Sequence, residues 1–225
     1  MKAAIFDLDG TLADTALDLM LAGNATYKDM GIEYRLEVGK DEGISSKGGR
    51  STIRHGLCEA FGMAEEDRIH ALYPIFLKNY EHVIDVNSYL YEGVVKTLDA
   101  ILEMDIVLGV CTNKPQKQAK ILLDKLGILT YFNAIVGPDT FGLAKPKPDP
   151  LINIIKMLGS TPKCSVLVGD TSTDLLTCDA ADVSFILATY GHGVKYQNLN
   201  PACTKYTVSS PLELPKRISQ IFKKS

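Results

Sequence analysis

Apolar residues follow two rhythms along this chain. Five short runs (3–6, 106–111, 134–136, 165–168 and 183–187) are nearly continuous in small and branched apolar residues and end at polar residues or glycine. That is the pattern of strands buried on both faces. Between them, near 94–104, 115–126, 149–158 and 173–181, apolar positions recur at helical spacing, as with Ala119, Leu122, Leu123 and Leu126. Strand-helix alternation of this kind predicts an α/β fold: a doubly wound, Rossmann-like parallel sheet with right-handed crossovers.

Residues 15–85 break the alternation. They read as helical at 17–30, 52–61 and 65–84, with Pro74 predicting a kink in the last segment. The chain therefore divides into an α/β core of 1–14 and 86–225 and an inserted helical domain of 15–85. Within the insert, 39–49 holds four glycines, two serines and two lysines and predicts a flexible loop. Pro211, Leu214, Ile218 and Ile221 predict a closing amphipathic helix over 211–222.

Composition narrows the function classes without naming one. The 24 basic and 27 acidic residues of this 225-residue chain give a net charge of −3, with no basic surplus to attract nucleic acid or anionic lipid. No apolar run is long enough to span a membrane. The five cysteines (58, 111, 164, 178 and 203) are odd in number and show no Cys-x-x-Cys pair. A disulfide framework or structural zinc site is not expected, and a reducing, cytoplasmic setting is.

Chemistry is carried by the ends of the apolar runs. Phe6-Asp7-Leu8-Asp9-Gly10-Thr11-Leu12 ends the first run in two carboxylates one residue apart. A calcium loop with Gly10 at its sixth position would need ligands at Ile5 and Ala16, which cannot serve. Val168-Gly169-Asp170-Thr171-Ser172-Thr173-Asp174 places two more acids four residues apart, on one face if the helix has begun. In an open α/β sheet ligands bind beyond the carboxyl ends of strands at a topological switch point, where Asp7 and Asp170 would converge. A hard cation with oxygen ligands, Mg²⁺ before Ca²⁺, would neutralise that cluster. Cys111-Thr112-Asn113-Lys114 adds a hydroxyl, an amide and a base after a third strand. Lys145-Pro146-Lys147-Pro148-Asp149-Pro150 adds a proline-stiffened lysine loop after a fourth.

Together these segments resemble the haloacid dehalogenase superfamily of aspartate-nucleophile phosphotransferases. The first string is similar to its DxDGT motif, Thr112 to its second-motif hydroxyl, Lys145 to its third-motif lysine and 169–174 to its GDxxxD motif. The insert stands where members with an α-helical cap carry it. The string Leu12-Ala13-Asp14-Thr15-Ala16-Leu17-Asp18-Leu19 further resembles the phosphoglycolate phosphatase subgroup.

The resemblance implies a Mg²⁺-dependent phosphatase acting on a small phosphorylated metabolite such as 2-phosphoglycolate. It implies Asp7 as nucleophile and Asp9 as general acid and base. Lys145, Thr112 and Asn113 would hold the phosphoryl oxygens. The Asp7 carboxylate, the Asp9 main-chain carbonyl and Asp170 would hold the metal, with Asp174 ordering metal-bound water. In the insert, Lys47 and Arg50 are candidates for a substrate carboxylate. Asp9 argues against dehalogenation, which needs no acid there, and against the phosphonate-cleaving branch, for which Lys47 would be the Schiff-base lysine. A sugar-phosphate mutase runs on the same motifs, and Lys47-Gly48-Gly49-Arg50 is similar to its cap loop. A non-catalytic regulatory protein would be signalled by loss of Asp7, Asp9, Lys145 or Asp170, and all are present. Tyr91-Glu92-Gly93 departs from the family's proline before glycine at the cap exit.

Overall fold

The first apolar run forms β1 (Ala3–Phe6), with all four side chains buried. The chain then makes β2 (Ala13–Asp14), α1 (Ala16–Asp29), α2 (Glu42–Ser45), α3 (Gly49–Phe61) and α4 (Glu66–Val83), and β3 (Tyr89–Leu90) pairs with β2. There follow α5 (Val94–Leu102), β4 (Val107–Cys111), α6 (Gln116–Lys125), β5 (Ala134–Val136), α7 (Pro138–Phe141), α8 (Asp149–Met157) and β6 (Ser165–Gly169). The rest is α9 (Ser172–Ala181), β7 (Ser184–Ala188), α10 (His192–Gln197), β8 (Thr207–Val208) and α11 (Leu214–Phe222). This is a computed structural model that describes residues 1–197 and 199–223. Two compact units emerge: Met1–Asp14 with Leu90–Ser225, and Thr15–Tyr89.

The first unit is built on a six-stranded sheet in the order β5-β4-β1-β6-β7-β8, parallel throughout. The chain moves outward from β1 through β4 to β5, then crosses back to β6 on the other side of β1. That reversal is the switch point at which an open sheet leaves a crevice. Register decides what lines it: Phe6 stands opposite both Val110 and Val168, so the residues just beyond all three reach the same carboxyl edge. Helix α8 packs on β4 and β5, and α9 on β6 and β7. They enclose a core that includes Ile5, Leu151, Ile154, Leu167, Cys178 and Leu187.

In the second unit α1 packs against α3 and α4 around Tyr27, Ile53, Leu57, Ile69, Phe76 and Tyr80. Side chains cannot be added at Gly56 or Gly49, where a Cβ would strike the rings of Tyr27 and Phe76. Asp18 is fully buried in α1. Its carboxylate accepts from the Asn87 N–H (2.9 and 3.0 Å), Asn87 Nδ2 (2.9 Å), the Ser88 N–H (2.7 Å) and Ser88 Oγ (2.7 Å). Residues 87 and 88 are thereby tied to α1, which keeps them with the helical unit.

Two details differ from the pattern-based expectation. Residues 39–49 are not all loop, because α2 forms within them and the Gly39 N–H donates to Glu42 Oε1 (2.5 Å). The closing segment starts as a 3₁₀ turn at Pro211–Glu213 before α11. Cys58, Cys111, Cys164 and Cys178 are free thiols, and the side chain of Cys203 lies outside the described residues. No helix among the described residues is long and apolar enough to cross a membrane.

Candidate active site

Asp7 extends the β1–β6 ladder by one residue, its N–H donating to the Val168 carbonyl (2.8 Å). Its side chain is buried, and Oδ1 accepts from the Leu8 N–H (2.8 Å) and lies 3.0 Å from Lys145 Nζ. The chain then turns tightly. The N–H groups of Thr11, Leu12 and Ala13 all reach the Leu8 carbonyl (3.3, 3.0 and 3.1 Å), and Gly10 takes φ +85°. This turn separates the two acids that the sequence places one residue apart. Asp9 pairs with a different base, Lys114, at 3.0 Å.

Asp170 follows β6 directly and is 1% exposed. Thr11 Oγ1 donates to Oδ1 (3.0 Å) and the Gly193 N–H to Oδ2 (2.7 Å). Glycine is required around it: a Cβ on Gly10 or Gly191 would collide with the carboxylate, and one on Gly193 with the Asp170 carbonyl. Asp174 occupies the third position of α9, whose cap is Thr171 and not Asp170. Thr171 donates to Asp174 Oδ2 through Oγ1 (2.6 Å) and N–H (3.1 Å), while the Asp174 N–H donates to Thr171 Oγ1 (3.3 Å). Asp174 Oδ1 accepts from Lys145 Nζ at 2.5 Å. Both oxygens of Asp174 are thus engaged.

Lys145 is 4% exposed, whereas Lys147 is solvent-exposed. The Lys145 peptide is held from both sides by Asn113, whose side chain therefore grips the lysine loop. Thr112 is buried, and its Oγ1 accepts from the Lys114 N–H (3.1 Å), which leaves its proton as a donor. In the second unit Lys47 is exposed, and the exposed Arg50 lays its guanidinium 4.5 Å over the Tyr73 ring.

Four carboxylates here meet two ammonium groups, Lys114 and Lys145, for a formal charge of −2. The electrostatics register the deficit. Burial, reinforced by Asp174, Asp170 and Asp9, pushes Asp7 up to about 7 against the pull of Lys145. Burial and Asp174 push Asp170 up to about 6, opposed by the Gly193 N–H and Thr11 hydroxyl. Lys145 moves the other way from what burial alone would do: Asp174 and Asp7 raise it, so it stays charged. Asp7, Asp170 and Asp174 each offer an oxygen, all within 4.8 Å of one another. Buried, oxygen-only and short of two positive charges, this donor set suits a hard divalent cation.

Sequence reasoning left two parts of the site unassigned. One is Lys114, noted only as a base beside Thr112. The other is the loop 190–193, where the Tyr190 hydroxyl donates to the Thr11 carbonyl (3.0 Å) and His192 Nε2 lies 2.9 Å from Asp14 Oδ2. In sequence, Tyr190-Gly191-His192-Gly193 after the last long strand reads equally as a border of the site or as a glycine turn, and no role is assigned to it.

Known proteins resemble this chain in sequence and in fold. The chain is 34% identical over 218 residues to a phosphoglycolate phosphatase of Aquifex aeolicus, covering 96% of each. It is 32% identical to an N-acetylmuramic acid 6-phosphate phosphatase of Pseudomonas putida, covering 97% of this chain and 96% of that one. A crystal structure of a phosphoglycolate phosphatase, itself so named by prediction, from Haemophilus somnus superposes with a TM-score of 0.81 at 26% identity, covering 96% and 97%. Residues 4–188 match the haloacid dehalogenase-like hydrolases, and the chain belongs to that family.

Proposed function

We propose that this protein is a Mg²⁺-dependent phosphomonoester hydrolase working through a phosphoaspartate on Asp7, with a small phosphorylated metabolite, 2-phosphoglycolate first, as substrate. One observation carries the reading: two carboxylates one residue apart are held by separate lysines, Asp7 by Lys145 and Asp9 by Lys114. That division suits a nucleophile and a proton carrier that must act on opposite sides of one phosphorus atom.

In the first step Asp7 Oδ attacks phosphorus in line. The bond from phosphorus to the ester oxygen breaks, and the departing oxygen takes a proton from the Asp9 carboxyl. In the second step water attacks the same phosphorus and gives a proton to the Asp9 carboxylate, and the bond to Asp7 breaks to release phosphate. Lys145, the Thr112 hydroxyl and the Asn113 backbone hold the phosphoryl oxygens. The Asp7 and Asp170 carboxylates and the Asp9 main-chain carbonyl would hold Mg²⁺, which supplies positive charge against the meeting of two anions. Asp174, with its oxygens committed to Lys145 and Thr171, fits a role in ordering metal-bound water. Lys47 and Arg50 are the groups proposed to pair with a substrate carboxylate. Stacking on Tyr73 leaves the in-plane N–H edge of Arg50 suited to that task.

The test is phosphate release across a panel of phosphomonoesters with Mg²⁺, including 2-phosphoglycolate, N-acetylmuramic acid 6-phosphate, hexose phosphates and nucleotides. Turnover that is abolished by Asp7→Asn and by chelation, and strongest on 2-phosphoglycolate, supports the proposal. Phosphate release retained by Asp7→Asn refutes it. Slow release beside fast isomerisation of a sugar phosphate primed by a bisphosphate would replace it with a mutase.

A further inference from the structure

The geometry points to Lys114 as a positioning residue for Asp9, an inference that rests on the phosphoaspartate reading above. Lys114 is 6% exposed, and its Nζ lies 3.0 Å from Asp9 Oδ1. Burying an ammonium is costly unless it is paired, and the carboxylate it meets is the one assigned to proton transfer. Lys145, the other buried ammonium of the site, serves Asp7 and Asp174.

The backbone beneath Lys114 is built to hold it. Its N–H donates to Thr112 Oγ1 (3.1 Å). Two residues on, the Gln116 N–H donates to Asp139 Oδ1 (2.7 Å) and Gln116 Nε2 to the Ile135 carbonyl (2.6 Å). Gly137 lies so close to this stretch that a Cβ there would strike the Lys114 carbonyl and the Gln116 nitrogen. The ends of β4 and β5 therefore grip the segment 114–116, and the lysine stem is aimed from a fixed root. Holding one oxygen of Asp9 fixes the direction of the other. The Gly10 turn alone sets only where the backbone of Asp9 lies.

The consequence falls on both proton transfers but is separable by leaving group. Nitrophenolate departs from phosphorus without needing a proton, so Asp7 attack on p-nitrophenyl phosphate proceeds without Asp9. The water step still needs Asp9 as base. A misaimed Asp9 therefore lets the phosphoenzyme form and delays its hydrolysis.

The test is rapid mixing of p-nitrophenyl phosphate with wild type, Lys114→Met, Lys114→Gln, Lys114→Arg and Asp9→Asn, each melting within a few degrees of wild type. Lys114→Met and Asp9→Asn are expected to release about one nitrophenolate per site in a burst. A steady state roughly 100-fold or more slower than wild type in Asp9→Asn, and up to about 100-fold slower in Lys114→Met, should follow, with KM falling in step so that kcat/KM is kept. Lys114→Arg, which keeps the ion pair, should recover much of the steady rate. Lys114→Gln should fall between them, and it carries the test if the methionine variant does not fold. A burst in Asp9→Asn with none in the Lys114 variants, whether slowed evenly or unchanged, overturns the role of Lys114 and leaves the phosphoaspartate reading standing. Loss of the burst in Asp9→Asn, with no phosphorylated protein trapped by acid quench, overturns the phosphoaspartate reading itself.

Discussion

Asn113 and Lys145 hold each other by two hydrogen bonds: the Lys145 N–H donates to Asn113 Oδ1 at 2.9 Å, and Asn113 Nδ2 donates to the Lys145 carbonyl at 3.0 Å. An amide facing a peptide in this way satisfies both partners and fixes the root of the lysine side chain. The Lys145 ammonium then reaches Asp7 and Asp174 together.

Asn113→Ala should therefore act through Lys145. Displacing a catalytic group by about 1 Å can cost roughly 100-fold in rate. The expected outcome is a fall in kcat of roughly 10- to 100-fold with a smaller change in KM. Asn113→Asp should do no better, because a carboxylate oxygen would then face the Lys145 carbonyl in place of a donor. Steady-state kinetics on the best phosphomonoester checks both; a wild-type kcat in Asn113→Ala would refute the clamp.

Gly10 has two reasons to be glycine, a φ of +85° and the Asp170 carboxylate where a Cβ would stand. Gly10→Ala should lower stability by about 1–2 kcal/mol from the backbone conformation alone. It should weaken Mg²⁺ binding further, because Asp170 must move. Thermal melts with and without Mg²⁺ separate the effects: the substitution should lower the melting temperature in chelator and shrink the rise that Mg²⁺ produces.

Much of this site was legible because it lies where apolar runs stop. Asp7, Thr112 and Asp170 each follow a buried strand, and parallel pairing in register carries all three to one edge. The partner of Asp9 was not legible. The Gly10 turn places its backbone, and the juxtaposition of β4 with β1 decides which lysine its side chain meets. Both are tertiary facts that spacing within a string does not encode. The string 190–193 was legible only as either a border of the site or a glycine turn, because the N–H that Gly193 gives to Asp170 is also a tertiary fact. Strand β8, two residues long, is too short to show any period. The acid in the Asp-Leu pair at 18–19 resembled a subgroup signature, and the structure gives it a physical role as the acceptor for residues 87 and 88.

Asp18 supplies the third prediction. Asp18→Ala would leave the donors of Asn87 and Ser88 without a buried acceptor, at a cost of about 3 kcal/mol or more. Asp18→Asn keeps the shape but turns a donor toward donors, so it should also destabilise. Amide exchange should show the loss concentrated at residues 87 and 88 and the first turn of α1. Unchanged protection at 87 and 88 would count against the role.

The last prediction concerns pH and the cation together. Burial and neighbouring carboxylates raise Asp7 to about 7 and Asp170 to about 6, from 3.8 for each in the unfolded chain. The folded state thus holds these protons more tightly than the unfolded chain does. The two groups favour folding fully below about pH 4, and that contribution is lost as pH rises through 6 and 7. Between pH 5.5 and 8 the loss is about 3 kcal/mol at 1.36 kcal/mol per unit, which for a chain of this size is roughly 6–12 °C in melting temperature. Metal-free protein in chelator should therefore melt lower at pH 8 than at pH 5.5. Mg²⁺ should reverse the trend, because a cation competes with protons for the same oxygens and binds more tightly as they ionise. Asp170→Asn removes one of the repelling carboxylates, and the Thr11 hydroxyl can turn to accept from the new amide. In chelator at pH 8 that variant should melt above wild type, yet gain much less from Mg²⁺. If it melts lower in chelator and gains as much from Mg²⁺, the acid cluster is neither the source of the pH dependence nor the seat of the cation.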